Sequence, residues 1–338
     1  MNEAMCVAVC PEPHRIEVET RPVPPIDTDK ILLKVSLCGI CGSDLAVWSG
    51  LDRKYPYSPG HEFSGTVERM GANVKNLSAG QRVVINPNLG CGGCAYCLRG
   101  MTNLCDHLKT RTIKSNGGFS NYVALDYRMV CPVPSSMSDE TASFVEPLSC
   151  ALHMVELARI GSTDTVAVFG GGILGMLVGV AIESQVSRER RAGRVLFVEP
   201  LPHRRRQLAG LFDAVCLDPR ELPGSEWSNR IDVAIDCSGS LEAFSLAISA
   251  LRKAGSLILG GLVPGAKEEV PLDLVTKKEL SIKGSWLNPG TFEEALRLAK
   301  RRQSLLERLD TKTFPLSEVQ QAFECAATKR FNKVFVRP

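Results

Sequence analysis

Thr165-Val166-Ala167-Val168-Phe169-Gly170-Gly171-Gly172-Ile173-Leu174-Gly175 decides the fold. Five residues of strand type run directly into glycines spaced G-x-G-x-x-G, and an apolar stretch of helical length follows. Alone the glycine pattern is weak evidence. Between a strand and a helix it is the fingerprint of a dinucleotide site. Gly170 makes the turn, Gly172 lets the backbone approach a pyrophosphate, and Gly175 lets the helix pack on the strand. The helix that opens near Leu174 offers free N–H groups to the phosphates, with Ile173 and Leu174 at the cofactor.

Working outward from this point, apolar strands recur at Val195–Val198, Val233–Asp236 and Ser256–Leu259, separated by segments of helical length. That alternation predicts a parallel, doubly wound sheet, an α/β architecture. Glu199 ends the strand after the fingerprint, twenty-four residues past Gly175. A carboxylate there binds the adenosine ribose hydroxyls and repels a 2′-phosphate, so NAD is expected in preference to NADP. The run Arg204-Arg205-Arg206 weakens that preference. Arg204 is the one expected near the adenine.

The first 145 residues have another texture. Short runs such as Lys30–Leu37, Phe63–Arg69 and Arg82–Asn86 are rich in β-branched residues and broken by Gly and Pro, as in a β-rich domain. The last fifty residues hold a helix pattern at Phe292–Arg302 and a strand pattern at Lys333–Arg337. A chain of 338 residues suits two domains rather than one.

A net charge of +3 and 6% aromatic residues give no field or stacking surface for nucleic acid. The basic runs Arg188–Arg191 and His203–Arg206 read as solvated faces. No basic segment followed by a long apolar stretch opens the chain, and Val178–Ile182 stops at Glu183, far short of the ~20 residues that span a bilayer. A cytoplasmic protein without membrane contact is the expectation. Thiols stay reduced there, so clustered cysteines point to metal or catalysis rather than disulfides.

Thirteen cysteines are present. Cys91, Cys94, Cys97 and Cys105 form C-x2-C-x2-C-x7-C among glycines. Two-residue gaps let tight turns aim thiolates at one point, so the pattern fits a structural Zn(II) with no open position. An iron–sulfur cluster takes the same ligands. A second set is mixed: Cys41 in Cys41-Gly42-Ser43-Asp44, His61-Glu62 after Gly60, and Glu146 in Glu146-Pro147-Leu148-Ser149. Cys, His and carboxylate together are what a catalytic zinc with a free position uses.

The stretch Gly60-His61-Glu62, with Gly65, Gly71 and Val74, is G-H-E-x2-G-x5-G-x2-V. With the four-cysteine loop, Gly80-Gln81-Arg82-Val83, Gly117-Gly118-Phe119 and the fingerprint, it resembles the zinc-dependent medium-chain dehydrogenases, the alcohol dehydrogenase superfamily, over essentially the whole chain. Glu146, where the liver alcohol dehydrogenase branch has a cysteine, resembles the sorbitol and threonine dehydrogenase branch.

The resemblance implies a GroES-like catalytic domain (1–148 and 289–338, with the zinc lobe at about 90–106). It pairs this with a Rossmann NAD-binding domain (149–288), the last fifty residues returning to the catalytic domain across the cofactor cleft. It implies two zinc ions per chain. Cys41, His61, Glu62 and Glu146 would serve the catalytic one, the carboxylates binding directly or through water. Cys91, Cys94, Cys97 and Cys105 would hold the structural one. Asp44 would orient a ligand, and Ser43 would take the proton from the bound alcohol. Cys38 stays outside the ligand set. Ala46 stands where the family often continues the proton relay with histidine. Gly261 and Leu262 would present backbone groups to the nicotinamide, and Trp286, Leu287 and Asn288 would line the junction of cofactor and substrate. Trp48 and Tyr122 fall where the sorbitol branch places pocket aromatics.

Together these imply an NAD-dependent oxidoreductase that interconverts a secondary alcohol and a ketone on a polyol, cyclitol, sugar or aminosugar. Leu287-Asn288 replaces the Arg-Tyr pair of sorbitol dehydrogenases, so the groups gripping the polyol are altered. An amino alcohol such as threonine is the alternative substrate. Retention of Cys41, His61 and Glu62 speaks against a zinc-free quinone reductase, and composition speaks against a zinc-lobe binding module. The branch usually forms homodimers or homotetramers.

Overall fold

The computed structural model describes residues 4–51, 55–110, 116–185, 194–261, 265, 267 and 269–338. Leu262 and the run Arg188–Arg191 lie outside the described residues. The chain divides into two compact units, Met1–Glu146 with Asn288–Pro338, and Pro147–Leu287. These limits fall one or two residues from those expected of the sequence.

In the second unit six strands form one parallel sheet in the order Val215–Leu217, Arg194–Val198, Thr165–Phe169, Ile231–Asp236, Leu251–Leu259 and Ser281–Gly284. The order reverses beside Thr165–Phe169, and in open α/β sheets ligands bind outside the carboxyl ends of the strands at such a switch point. Val166, Ala167, Val168 and Phe169 are all buried, because a central parallel strand is covered on both faces. The helix Ile173–Gln185 is apolar on every side, and Gly175 to Ile182 are buried without a break. Such a helix belongs in an interior.

The fingerprint glycines are required by space. Gly170 adopts φ +99°, a region that L side chains rarely enter. A Cβ on Gly175 would lie 1.9 Å from the Gly170 carbonyl oxygen. The helix therefore approaches the strand as closely as the sequence pattern implies.

In the first unit a seven-stranded sheet runs in the order Thr311–Pro315, Lys333–Arg337, Lys30–Gly39, Glu62–Met70, Arg82–Ile85 and Val130–Pro132. Tyr122–Asp126 pairs with Lys30–Gly39. The last strand thus joins a sheet begun some three hundred residues earlier, with Phe335 opposite Gly39 and Val336 opposite Cys38. Its core packs Ile31, Leu33, Phe63, Val83, Phe119, Val123, Phe323 and Val336. Among the described residues no helix is long and apolar enough to cross a membrane.

Candidate active site

Two groups of donors converge in the first unit. Cys41 caps the N-terminus of the short helix Gly42–Trp48, where its own backbone N–H donates to Asp44 Oδ2 at 3.0 Å. His61 and Glu62 stand where the strand Glu62–Met70 begins, paired there with Gly39. Turn and strand end bring the ligand atoms of Cys41, His61 and Glu62 within 4.8 Å of one another. His61 and Glu62 are buried.

Asp44 anchors this cluster from within. It is fully buried, and its Oδ1 accepts from the Tyr57 hydroxyl at 3.1 Å and from Gly60 N–H at 3.2 Å. His61 Nδ1 lies 3.6 Å from the same oxygen. Burial would raise the Asp44 pKa, but His61 and the backbone donors outweigh it and hold the carboxyl below its ordinary range. Burial likewise opposes charge on His61. Asp44 and Cys41 overcome it and lift the imidazole well above its usual pKa. This pocket therefore favours positive charge where its donors meet, and a soft thiolate, an imidazole and a carboxylate are the donor set that Zn(II) takes.

Lys333, the first residue of the strand Lys333–Arg337, pairs with Glu62 Oε2 in the interior, each side chain 2% exposed. Burial would lower the Lys333 pKa, yet Glu62 raises it above its ordinary value. Gly39 leaves the space this needs. A Cβ there would lie 2.5 Å from Lys333 Cε and 2.8 Å from Glu62 Oε2. Glu146, second residue of the helix Val145–Ala158, is also buried, and burial first, then Glu62, pushes its pKa up to about 7. Among the described residues, Glu146 is not in the 4.8 Å cluster, although it feels the charges of His61, Glu62 and Lys333. Ser43 is exposed in the first turn of the helix Gly42–Trp48.

The second group is Cys91, Cys94, Cys97 and Cys105, again with all four sulfurs within 4.8 Å. Backbone N–H groups of Cys91 and His107 donate to Cys105 Sγ at 3.2 and 3.3 Å, and that of Cys97 to Cys94 Sγ at 3.5 Å. Amides aimed at sulfur favour the thiolate. Those from Cys97 and Asp106 bring the Cys94 pKa down to about 6. Burial takes Cys97 the other way, to about 12. Four protein sulfurs so placed could fill a zinc ion's coordination and would leave no place for substrate.

In the second unit Glu199 is buried against the fingerprint. Its Oε2 accepts from Gly171 N–H at 2.5 Å and its Oε1 from Leu201 N–H at 2.9 Å. The three arginines separate. Arg204 lies half-buried with Nη1 3.6 Å from the point a Cβ on Gly172 would occupy. Arg205 donates to the Glu199 and Pro200 carbonyls and pairs with Asp218, while Arg206 is exposed. The N–H groups of Gly260 and Gly261 both donate to the Asp236 carbonyl at 2.9 Å.

Other expected residues are scattered. Trp286 is exposed. Leu287 adopts φ +55°, a left-handed conformation that costs a bulky residue about 1–3 kcal/mol. Asn288 is buried and accepts from Asn88 Nδ2 at 3.2 Å. The two expected pocket aromatics take packing positions instead. Trp48 is buried edge-on to His14 and against Phe323, because its short helix turns that face to the core. Tyr122 lies on the small cluster of Met5, Val7 and Val9. Sequence reasoning missed Tyr57 and Lys333. Neither carries a local signal, since a tyrosine and a strand lysine are ordinary until their distant partners are known.

The model of the alcohol dehydrogenase GroES-like domain matches residues 27–135, and that of the zinc-binding dehydrogenase matches 184–301. A protein of Arthroderma otae named as a D-xylulose reductase is 32% identical, the alignment covering 92% of this chain and 90% of the relative. A zinc-binding dehydrogenase of Sinorhizobium meliloti solved with NADP superposes with a TM-score of 0.89 at 28% identity, covering 99% of this chain and all of the other. An alcohol dehydrogenase of Escherichia coli solved with NADH has a TM-score of 0.89 at 25% identity, covering 99% of both chains.

Proposed function

Because the chain belongs to the zinc-dependent medium-chain alcohol dehydrogenase family, we propose that it oxidises a secondary carbinol of a polyol or sugar to a ketone, and reverses that reaction, with NAD. The observation that carries this reading is the convergence of Cys41, His61 and Glu62 donor atoms within 4.8 Å. Three unlike donors leave a coordination place for a hydroxyl, whereas the four-cysteine group leaves none.

Zinc held by Cys41, His61 and a carboxylate supplies a Lewis acid that makes a bound hydroxyl acidic near neutral pH. A nicotinamide supplies the hydride acceptor. The overall reaction takes one hydride from the carbinol carbon and one proton from its oxygen. Ser43 receives that proton and passes it on by water or the ribose, since Ala46 offers no relay. Asp44 fixes the ring of His61, as the partners of metal-ligating imidazoles do. Glu146, buried beside this cluster, is the second carboxylate that would bind the ion, directly or through water. Gly170, Gly172 and the N-terminus of the helix Ile173–Gln185 receive the pyrophosphate. Glu199 takes the ribose hydroxyls, with Arg204 beside the turn, so NAD is the preferred coenzyme. Cys91, Cys94, Cys97 and Cys105 hold a second, structural zinc. A cytoplasmic homodimer or homotetramer belongs to the same reading and rests on the family resemblance.

A panel of polyols, cyclitols, aminosugars, sugars and amino alcohols is the deciding experiment, read as absorbance of the reduced nicotinamide with NAD or NADP. Turnover of a polyol with NAD is expected. Turnover confined to amino alcohols removes the polyol assignment, and no turnover of any alcohol by zinc-replete protein removes the dehydrogenase assignment.

A further inference from the structure

The strand Ile231–Asp236 ends on a buried acid. Ile231, Val233, Ala234 and Ile235 are buried hydrophobics, and Asp236 is only 3% exposed. Burying a carboxyl is costly unless it is hydrogen-bonded. Burial pushes the Asp236 pKa up, against the pull of the Ser238 hydroxyl and amide. Asp236 pairs with Phe169 on one side and Leu259 on the other, the residues that precede Gly170 and Gly260. It thus stands between two loops at the carboxyl ends of the strands, where open α/β sheets take their ligands.

The side chain governs its own loop. Asp236 Oδ1 accepts from Ser238 N–H at 2.8 Å and from the Ser238 hydroxyl at 2.6 Å. A hydroxyl that donates keeps lone pairs to accept. Ser238 Oγ takes the Ser240 N–H at 3.0 Å. Ser240 Oγ takes the Ala243 N–H at 3.3 Å and so caps the helix Leu241–Ala250. These bonds all run toward the buried carboxyl. Ser238 itself is exposed and lies against the fingerprint turn. A Cβ on Gly170 would meet Ser238 Cβ at 3.0 Å and Ser238 N at 3.1 Å. The main chain of Asp236 governs the neighbouring loop, since its carbonyl accepts from Gly260 and Gly261. The two loops touch: a Cβ on Gly261 would lie 2.1 Å from Gly239 N.

We propose that Asp236 is a positioning residue for the coenzyme, its buried carboxyl holding the exposed Ser238–Gly239 turn against Gly170 before the coenzyme arrives. A turn already in its bound shape is not ordered at the cost of binding, and apparent affinity scales with the fraction of molecules that hold that shape. Asp236 acts through Ser238 and not by contact with the coenzyme. This inference rests on the assignment of a dinucleotide to the fingerprint turn.

The test is calorimetric binding of NAD and of ADP-ribose, which lacks the nicotinamide, to the zinc-replete protein. Asp236→Ala removes the acceptor and should weaken both probes by about 10-fold, because the turn is released. Asp236→Asn keeps an oxygen for both Ser238 donors and should stay within about 3-fold of wild type. Ser238→Ala breaks only the hydroxyl link and should fall between the two. In the Asp236→Ala background, Ser238→Ala should add no further loss, as expected of residues acting in one chain. A folded Asp236→Ala protein with wild-type affinity overturns the proposal. So does an Asp236→Asn protein as weak as Asp236→Ala, which would assign the effect to charge. A loss seen with NAD alone also overturns it, since Gly170 serves the half that both probes share. Should Asp236→Ala not fold, unaltered affinity in Ser238→Ala overturns it instead. Failure of the wild-type protein to bind either probe overturns the coenzyme assignment beneath it.

Discussion

Lys333 closes an ion pair on Glu62 over the empty face of Gly39, with both side chains 2% exposed. A buried pair is expensive to make and more expensive to break, because removing one partner strands the other charge out of water. Glu62 therefore has two calls on its carboxylate, the ammonium of Lys333 and the donor cluster with Cys41 and His61.

Lys333→Met should destabilise the metal-stripped protein by about 3–5 kcal/mol, read from denaturant unfolding. Lys333→Met with Glu62→Gln should recover part of that loss, since no lone charge remains. Equal loss in the single and double variants would show that the two groups are not coupled. With zinc present the loss should shrink, because the metal takes over the charge of Glu62.

Metal analysis should return about two zinc ions per chain, one from each donor group. Cys41→Ala should lose one ion with the fold intact. Cys94→Ser should lose the other and damage folding or assembly more than chemistry. A stable, fully assembled Cys94→Ser protein would contradict the structural role of the loop.

Refilling the stripped cysteine loop should release protons. Cys94 sits at about 6 and is mostly thiolate near neutrality, whereas Cys97 at about 12 is protonated and must shed its proton to bind. Binding requires the deprotonated form, so apparent zinc affinity should rise with pH. A pH indicator in weak buffer reads the release directly. Affinity that stays flat from about pH 6 to about pH 8 would exclude four-thiolate ligation.

Glu199→Ala should move the NAD/NADP preference toward NADP and also lower thermal stability. The second effect follows because Gly171 N–H and Leu201 N–H lose their acceptor. An unchanged coenzyme ratio with lowered stability would assign Glu199 to the turn alone.

Much of the molecule is legible in local pattern. Thr165–Phe169 reads as a strand from its β-branched residues and Gly170–Gly175 as a turn from its glycines, since strand and turn chemistry act over a few residues. The four-cysteine loop is legible for the same reason, its first and last ligands being fourteen residues apart. Trp48 shows the limit. Its place in the chain fits a pocket, and only packing against His14 and Phe323 turns it into the core.

The sequence by itself determined the parallel sheet, the coenzyme turn, the cysteine loop and the identities of Cys41, His61, Glu62 and Glu146 as candidate ligands. The first three rest on spacing within a short segment, and the ligand set rests on the resemblance of three separate short motifs to those of the family. Tertiary structure alone decided how those ligands are governed. Lys333 reaches Glu62 because the last strand pairs with Lys30–Gly39, which also pairs with Glu62–Met70. Tyr57 reaches Asp44 because the segment before Gly60 is clamped to Cys10. Such contacts join residues far apart in the chain through close packing and a low local dielectric, and no short window of sequence contains both partners.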